Sequence, residues 1–341
     1  MNDLIDLTRK AVPLGIQWLI ERQNADGSFA DCGDELVSTY KAPLAFAVTG
    51  NVGAGIRCLQ YIKRHNLNSA TELSSADGSV KTTFSNNQRN FANYMDGWVA
   101  IGAWLLGDFE FATRICEKLL PQQATHGGVL TGPTKWSGAS RYDVLTNASI
   151  GRAFLHTGMK QEARRVADFL VQVVEPSNQR ALDKALDMSF DAGWKHVDTP
   201  SPQDRPYYQL LYGERGERVF CPAFACSFLC EIGQMDGQSK YYVAAGKYLS
   251  SITRTPEYLD HTLANGKSGW AAGMLAVGHG DESARGAALQ IMPRMLARQR
   301  ADGEFASAAN AGDTPFAKRL ESTAEHVSWA LEYQRLLTIG F

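Results

Sequence analysis

The chain has 341 residues, of which 44% are hydrophobic and 21% are charged, and its formal net charge at pH 7 is −2. This is the composition of a soluble globular protein, and a chain of this length buries about 75% of its unfolded surface without needing a metal or disulfides. The near-neutral charge, with no basic run, gives no electrostatic footprint for nucleic acid or an anionic membrane.

Targeting and redox signals are equally sparse. No apolar stretch reaches the ~18 residues that are needed to span a bilayer. The first residues lack a basic leader followed by an apolar core, and the six cysteines are too few for a disulfide scaffold. We therefore expect a cytoplasmic protein with reduced thiols.

A repeated unit organises the chain from end to end. Each unit has an apolar helix rich in small residues, a break that contains glycine, and an amphipathic helix. The five internal units are, in chain order, LVSTYKAPLAFAVTGNVGAGIRCLQYIKRH, NYMDGWVAIGAWLLGDFEFATRICEKLL, DVLTNASIGRAFLHTGMKQEARRVADFLVQVV, FCPAFACSFLCEIGQMDGQSKYYVAAGKYLSSI and GKSGWAAGMLAVGHGDESARGAALQIMPRMLARQ. The sixth pair joins the C-terminal ESTAEHVSWALEYQRLL to the N-terminal LIDLTRKAVPLGIQWLIERQ. Glycines stand where the first helix of each internal unit is predicted to end, as C-terminal caps do: Gly50, Gly107, Gly158, Gly233 and Gly278.

The two helices of a unit differ in their apolar pattern. The first is apolar on nearly every side, which predicts complete burial. The second has a one-sided stripe, and MKQEARRVADFLVQVV places Ala163, Val166, Ala167 and Leu170 on one face. This alternation predicts an all-α, closed α/α toroid of six hairpins, a single domain over residues 1–341 with an inner and an outer helix ring.

An open solenoid is the structural alternative to the closed ring. Closure is favoured because the two terminal segments look like the two parts of one hairpin. Strand-like alternation is absent except around SVKTTF, residues 79–84.

A nonapeptide occurs near both ends of the chain. RQNADGSFA (residues 22–30) and RQRADGEFA (residues 298–306) are identical at seven of nine positions. Asp-Gly favours a turn, and the phenylalanine returns the chain to the apolar layer. Weaker relatives are SADGSV (75–80) and THGGVL (125–130). We predict that these turns end outer helices and that the two strong copies are neighbours in the closed ring.

The same residues resemble a known repeat. WLIERQNADGSFADCGDELVSTYKAPLAFAVTG, and again RQRADGEF with ESTAEHVSWALEYQRLL, is similar to the repeat of protein prenyltransferase β-subunits and squalene-hopene or oxidosqualene cyclases. The resemblance implies an α/α toroid with a central pocket walled by the N-terminal ends of the inner helices.

The catalytic motifs of those enzymes do not occur in this chain. Class II terpene cyclases protonate an alkene with a D-x-D-D motif, and protein prenyltransferases hold zinc partly with Asp-x-Cys; the sequence contains neither. Neither activity is therefore carried over. Six-hairpin toroids also include sugar-active lyases, hydrolases and epimerases, which this chain resembles in helix rhythm.

Polar side chains at the starts of the apolar helices are the candidate site, because buried polar groups need partners. Lys41, Lys267 and Glu321 are among these positions. The predicted acid–base residues are Tyr40, Asp96, Asp143, His261, Glu325 and His326. The predicted substrate-binding residues are Trp98, Trp136, Tyr142, Trp194, Tyr208 and Trp270.

These candidates have structural alternatives. Asp96 and Asp143 also suit helix caps or arginine partners, and His326 also suits a structural hydrogen bond to the preceding turn. The cysteines at 221, 226 and 230 favour packing over zinc, because no histidine accompanies them. We expect neither a metal nor another cofactor.

The longest irregular stretch runs from residue 190 to residue 219. It mixes aromatic residues with charges, a composition that favours a binding lid over a disordered linker.

Three functions are compatible with these features. The first is a small-molecule enzyme, a cyclase, lyase or isomerase that uses acid–base residues on a partly hydrophobic substrate in a central pocket. The second is a carbohydrate-active toroid: a polysaccharide lyase, glycoside hydrolase or epimerase. The third is a non-catalytic binding toroid. The sequence leaves the substrate and the oligomeric state open.

Overall fold

Paired helices make up most of the chain in the computed structural model, which describes residues 2–30, 32, 36–66, 91–132, 140–199, 201–260, 265–305 and 314–340. The outer helices are α1 (Asn2–Glu21), α4 (Val52–His65), α6 (Phe109–Leu119), α8 (Lys160–Val173), α11 (Ser239–Thr253) and α14 (Glu282–Leu296). The inner helices are α2 with α3 (Leu36–Thr39, Ala42–Val48), α5 (Ala92–Leu105), α7 (Val144–His156), α10 (Phe220–Asp236), α13 (Asn265–His279) and α15 (Phe316–Ile339). Two short helices, α9 (Arg205–Tyr208) and α12 (Glu257–Asp260), lie in the connections.

The inner helices form a closed ring. Contacts run from α3 through α5, α7, α10 and α13 to α15, and α15 also contacts α3. The N-terminal helix α1 packs against the C-terminal helix α15, so the two ends of the chain form the sixth hairpin. The all-α closed toroid predicted from the repeats is confirmed, and the open solenoid is excluded.

Apolar patterning explains the two rings. In α7 every residue from Val144 to Phe154 is buried, whereas α8 buries a stripe that includes Val166 and Leu170 and leaves Arg165 exposed. Small residues let inner helices approach closely, since a Cβ added at Gly97 would lie 2.4 Å from the Oγ of Ser149. Among the described residues, no helix combines the length and the apolarity needed to cross a bilayer.

The repeated nonapeptide forms the same turn in both copies, and THGGVL forms a third. Each turn has a glutamine joined by an isolated β-bridge to an apolar residue six positions later, and these pairs are Gln23 with Phe29, Gln123 with Val129 and Gln299 with Phe305. The glycine in each turn has a positive φ: +94° at Gly27, +94° at Gly127 and +98° at Gly303. Both phenylalanines are buried beneath their turns, as predicted.

Each turn also ties one outer helix to the next. The side-chain amide of Gln23 donates to the carbonyl of Ala54 in α4, and that of Gln123 donates to the carbonyl of Glu162 in α8. Gln299, after α14, donates to a carbonyl of α1 at 2.7 Å and so crosses the seam where the chain ends meet. The fourth relative, SADGSV, lies outside the described residues.

Three of the five predicted glycine caps are confirmed. Positive φ angles of 76°, 86° and 82° occur at Gly50, Gly107 and Gly158, shortly after α3, α5 and α7. The prediction is wrong for the other two, which lie inside α10 and α13. Both glycines face the ring of Tyr242 in α11. A Cβ added at Gly233 would lie 2.8 Å from that ring, and one added at Gly278 would lie 3.0 Å from it. Close helix packing, not a helix end, requires these two glycines.

Two small antiparallel sheets were not expected. β1 (Tyr142–Asp143) pairs with β3 (Ser189–Phe190), and β2 (Ala185–Asp187) pairs with β4 (Gln209–Leu211). The segment 190–219, predicted to be irregular, therefore contains β4 and α9. The strands are only two or three residues long, too short for alternation to appear in the sequence. SVKTTF lies outside the described residues.

Candidate active site

Four buried charged side chains meet inside the ring near the starts of inner helices. Lys41 immediately precedes α3, and Lys267 lies in the first turn of α13. Glu321 and Glu325 are four residues apart on α15 and therefore share one face of that helix. The Nζ of Lys41 lies 2.5 Å from the Oε1 of Glu321, and both lysines contact the carboxylate of Glu325. We call these four residues the lysine–glutamate cluster; each is at most 7% exposed.

Three neighbouring side chains complete the hydrogen bonding of the two carboxylates. The hydroxyl of Tyr40 donates to the Oε1 of Glu321 at 2.8 Å, and the ammonium of Lys318 contacts the same carboxylate. The indole Nε1 of Trp329 donates to the Oε1 of Glu325 at 3.1 Å. Among the described residues, three ammonium groups thus face two carboxylates, and one positive charge is in excess.

Aromatic rings from four inner helices enclose the cluster. The Nζ of Lys267 lies 5.5–5.7 Å from the ring centres of Trp98, Phe224 and Trp329, within the range of a cation–π interaction. Trp270 stacks on Trp329 with ring centres 4.7 Å apart. We call Trp98, Phe224, Trp270 and Trp329 the aromatic cage. The cage replaces water around the charges, so it strengthens their mutual interactions.

Both carboxyl groups of the cluster are held ionised. Burial raises the pKa of Glu321, but the ammonium groups of Lys318 and Lys41 outweigh it and lower this pKa to about 2. The pKa of Glu325 also ends well below its ordinary value, because Lys267 and Lys41 outweigh burial. At neutral pH these groups accept hydrogen bonds and have no proton to donate.

The pKa values of the two lysines shift in opposite directions, although both lysines contact Glu325. Burial lowers the pKa of Lys41, but Glu321 and Glu325 outweigh it, so this pKa lies above its ordinary value. For Lys267 burial dominates over the opposing effect of Glu325, and its pKa falls to about 8. Burial, followed by the charge of Glu321, raises the pKa of Tyr40 well above 10. Of the two lysines, Lys267 therefore has the lower pKa.

A second ion pair closes the far side of the cage. Arg152 of α7 makes contacts of 2.9 and 3.0 Å with the carboxylate of Glu231 in α10. Its guanidinium lies 4.6 Å from the ring centre of Trp270, which is thus held between Arg152 and Trp329. Arg152, Glu231 and Trp270 therefore bound one side of the cage.

The structure brings four of the predicted site residues together here. Tyr40 and Glu325 belong to the charged network, and Trp98 and Trp270 belong to the cage. Two other predicted residues, Trp136 and His261, lie outside the described residues.

The two predicted aspartates have other partners. Asp96 is 2% exposed and lies 2.6 Å from the Nζ of Lys118 in α6. Asp143 is the N-cap of α7, where its side chain accepts hydrogen bonds from the backbone N of Thr146 at 2.9 Å and the hydroxyl of Thr131 at 2.5 Å. The contacts of Asp143 are those of the helix cap considered for it, whereas Asp96 pairs with a lysine instead of the cap or arginine partner considered for it.

The predicted histidine of α15 is buried and neutral. His326 stacks on Phe305 with ring centres 5.4 Å apart, and its Nδ1 lies 2.7 Å from the backbone oxygen of Ser322. Burial lowers the pKa of His326 to about 4. This ring supports the repeated turn at Phe305.

The remaining predicted aromatic residues lie in two other places. Tyr142 and Trp194 surround His126, with ring centres 4.7 and 5.3 Å away from it. Tyr208 lies under the guanidinium of Arg141 at 4.4 Å. None of these three has a ring contact with the aromatic cage among the described residues.

Sequence reasoning noted Lys41, Lys267 and Glu321 as polar residues but gave them no role. The available signal was a lysine at the start of an otherwise apolar helix, where a charge needs a buried partner. The glutamate partners of these lysines could not be identified, because the sequence predicts that the sixth inner helix begins at Glu321. In fact α15 begins at Phe316, so Glu321 and Glu325 project from its interior. Among the described residues, no group of three or more His, Cys, Asp or Glu side chains is arranged to hold a metal ion.

Comparison with known proteins gives the fold. No protein-family model matches the sequence, and no curated protein matches it. A D-mannose isomerase structure is 13% identical with a TM-score of 0.69, covering 97% of both chains. The cellobiose 2-epimerase of Bacillus thermoamylovorans is 10% identical with a TM-score of 0.70, covering 98% of this chain and all of that one. A type II terpene cyclase from Scytonema with geranylgeranyl dihydroxybenzoate is 12% identical with a TM-score of 0.62, covering 98% and 100%. The chain therefore shares the α/α toroid fold with these enzymes, as its repeats predicted.

Proposed function

We propose that this chain, a single toroid domain over residues 1–341, is an enzyme that moves a proton at a carbon atom next to a carbonyl group, as isomerases and some lyases do. The observation that supports this most is the lysine–glutamate cluster, buried at the starts of inner helices. Removing charges from water costs several kcal/mol per ion. A cluster of perturbed ionisable groups in a sheltered site is a typical feature of catalytic centres.

The ionisation of the cluster favours base chemistry over alkene protonation. Protonating an alkene needs a neutral carboxylic acid, and hydrolysing a glycosidic bond also needs a protonated carboxyl. Glu321 and Glu325 have pKa values of about 2 and well below the ordinary value, so neither is protonated at neutral pH. The cyclase and hydrolase alternatives are therefore less compatible with this cluster than proton abstraction is.

Each member has a role in such a reaction. Lys267 is the general base, because a pKa of about 8 lies close to the pH at which an enzyme works. Lys41 remains protonated, and the N–H that it does not use on Glu321 and Glu325 donates a hydrogen bond to the oxyanion of the enolate. Tyr40, whose O–H donates to Glu321, holds that carboxylate in place. The excess positive charge of the network stabilises that anion. The carboxylates hold the donors in position.

The substrate class proposed first is hydroxyaldehydes and hydroxyketones, including sugars. Two structural neighbours are, by name, a mannose isomerase and a cellobiose epimerase, with TM-scores of 0.69 and 0.70. The aromatic cage supplies the apolar face against which such a molecule packs. Elimination from uronic-acid polymers belongs to the same class of chemistry, since it also begins with abstraction of a proton next to a carbonyl.

The test follows proton exchange directly. The protein is incubated in D₂O with a panel of aldoses, ketoses and disaccharides, and loss of the proton next to the carbonyl is followed by NMR. We expect exchange in the wild type, and a rate about 10²–10⁴-fold lower in Lys267→Met. Uronic-acid polymers are screened in parallel by ultraviolet absorbance of unsaturated ends.

A matched lysine provides the control. Lys63→Met removes an ion pair of 2.8 Å with Asp108 on the outer side of the ring, and we expect wild-type exchange in it. Equal rates in Lys267→Met and the wild type would contradict the proposal, as would the absence of exchange and of elimination across both panels.

A further inference from the structure

We propose that the substrate carries an anionic group, a carboxylate or a phosphate, and that Arg141 and Arg218 bind it beside the lysine–glutamate cluster. This inference deepens the proposed function and rests on it for the statement that the ligand is the substrate. The binding itself is testable without turnover.

The two arginines are interleaved with aromatic rings. The guanidinium carbon of Arg141 lies 4.7 Å from the ring centre of Phe91 and 4.4 Å from that of Tyr208. The guanidinium carbon of Arg218 lies 5.3 Å from the ring centre of Tyr207, which is itself 5.1 Å from Phe91. We call the two arginines with Phe91, Tyr207 and Tyr208 the arginine subsite. The rings fix the planes of the guanidinium groups without using their N–H donors.

The subsite adjoins the cluster through Phe220, the first residue of α10. The Nζ of Lys267 lies 5.5 Å from the Phe220 ring, and that ring lies 6.3 Å from the ring of Tyr207. The thiol of Cys221, the next residue, lies close enough to both groups of charges for them to affect its pKa. Burial and then Asp143 raise this pKa, and the charges of Arg218, Lys267 and Arg141 lower it. Phe220 therefore lies between the two groups, and in this proposal one small molecule spans its ring to contact both the arginines and the general base.

Arg218 has an unused capacity for an anion. Among the described residues, no carboxylate lies within 4.0 Å of its guanidinium, and its buried Nε has no hydrogen-bond partner. Arg205, in the same segment, is paired at 2.5 Å with Glu217. A buried donor without an acceptor costs free energy, and an oxyanion ligand removes that cost. Carboxylate and phosphate groups match the forked donors of arginine.

The long segment 190–219 therefore has a binding role in this proposal. It supplies Tyr207, Tyr208 and Arg218, while Phe91 and Arg141 come from the starts of α5 and α7. It forms one wall of the substrate entrance, on the face where the inner helices begin.

The experiment measures anion binding in the full chain. Thermal unfolding and isothermal titration calorimetry are carried out with sodium phosphate and with sodium D-glucuronate, against sodium chloride at equal ionic strength. We expect a saturable rise in Tm with at least one of the two anions, and the preferred anion tells phosphate from carboxylate. The Kd is expected to rise at least about tenfold in Arg218→Met and by less in Arg218→Lys, which keeps the charge.

The control is an arginine in the same kind of contact elsewhere. Arg254, the residue after the outer helix α11, lies 3.9 Å from the ring of Tyr212 and donates to the backbone oxygens of Leu182 and Asp183, so Arg254→Met should bind the anion as the wild type does. The proposal is overturned by the absence of an anion-specific Tm rise in the wild type, or by equal Kd values in Arg218→Met and Arg254→Met. Anion binding that persists while Lys267→Met exchanges protons normally would leave the subsite intact and refute only the proton-transfer function.

Discussion

Lys267 gives the proposed chemistry a measurable pH dependence. A general base must be unprotonated, and the pKa of Lys267 is about 8 because burial disfavours its charged form. We therefore expect kcat/KM for proton exchange to rise with pH, to half its maximum near pH 8, and then to level off. No descending limb is expected up to about pH 9, because Lys41 and Tyr40 have pKa values above their ordinary 10.5 and 10.0. A profile that is flat, or that falls, between pH 6 and 9 would rule out this base.

Asp143 allows capping and catalysis to be separated. Asparagine caps a helix about as well as aspartate, whereas alanine loses the cap at a cost of about 1 kcal/mol. Since the side chain accepts a hydrogen bond from the backbone N of Thr146 at 2.9 Å, we expect Asp143→Asn to keep both stability and turnover. Asp143→Ala should lose stability in urea denaturation. Loss of turnover in Asp143→Asn at unchanged stability would instead assign this carboxylate to catalysis.

At the scale of single elements, Gly127 of a repeated turn and Gly158 at the end of α7 both have a positive φ but differ in their surroundings. Gly127 has a φ of +94°, and an added Cβ would lie 2.0 Å from the carbonyl oxygen of Arg165. Gly158 has a φ of +82° but nothing within 4 Å of such a Cβ. Gly158→Ala should therefore cost only the left-handed strain of about 1–2 kcal/mol. Gly127→Ala should cost roughly 1–3 kcal/mol more, because the backbone must also shift. Urea denaturation measures both, and equal losses would refute the close turn–helix contact.

The elements that could be predicted are those with a local signal. The 3.6-residue pattern of α8 and the Asp-Gly turns at both ends are visible within a few residues of sequence. Gly233 and Gly278 were wrongly predicted as helix caps, because the sequence does not distinguish a glycine that permits close helix packing from one that ends a helix. The two-residue strands β1 and β3 form because the fold brings together residues that are far apart in the sequence, such as Tyr142 and Phe190, which are 48 positions apart.

The site was less predictable than the fold for the same reason. Lys41 and Glu321 meet across 280 positions of sequence, so their pairing depends on the closed ring and not on any motif. Tyr40 and Glu325 were identified because polar residues are conspicuous at the start of an apolar helix. Which of these polar residues face one another is decided by helix rotation, which a single sequence does not specify.

For the whole molecule, the seam between the chain ends holds the site together. Helix α1 packs against α15, which carries Glu321 and Glu325, and Gln299 donates to the carbonyl of Ala11 in α1 at 2.7 Å. Trp18 of α1 is fully buried. An open solenoid that loses its first repeat keeps the others folded, because each repeat contacts only its neighbours. A closed ring instead loses the contacts on both sides of the gap.

We therefore expect removal of residues 1–30 to abolish the cooperative thermal unfolding of the entire chain, followed by circular dichroism. A circular permutant provides the control. It joins residue 341 to residue 1 through a short Gly/Ser linker and opens the chain after Gly237, an exposed turn between α10 and α11 with a φ of 67°. All six hairpins stay in the permutant, so it should unfold cooperatively and keep the lysine–glutamate cluster. A truncated chain that is soluble and melts in one sharp transition would show that the seam is dispensable, and the cluster that spans it would then need another source of support.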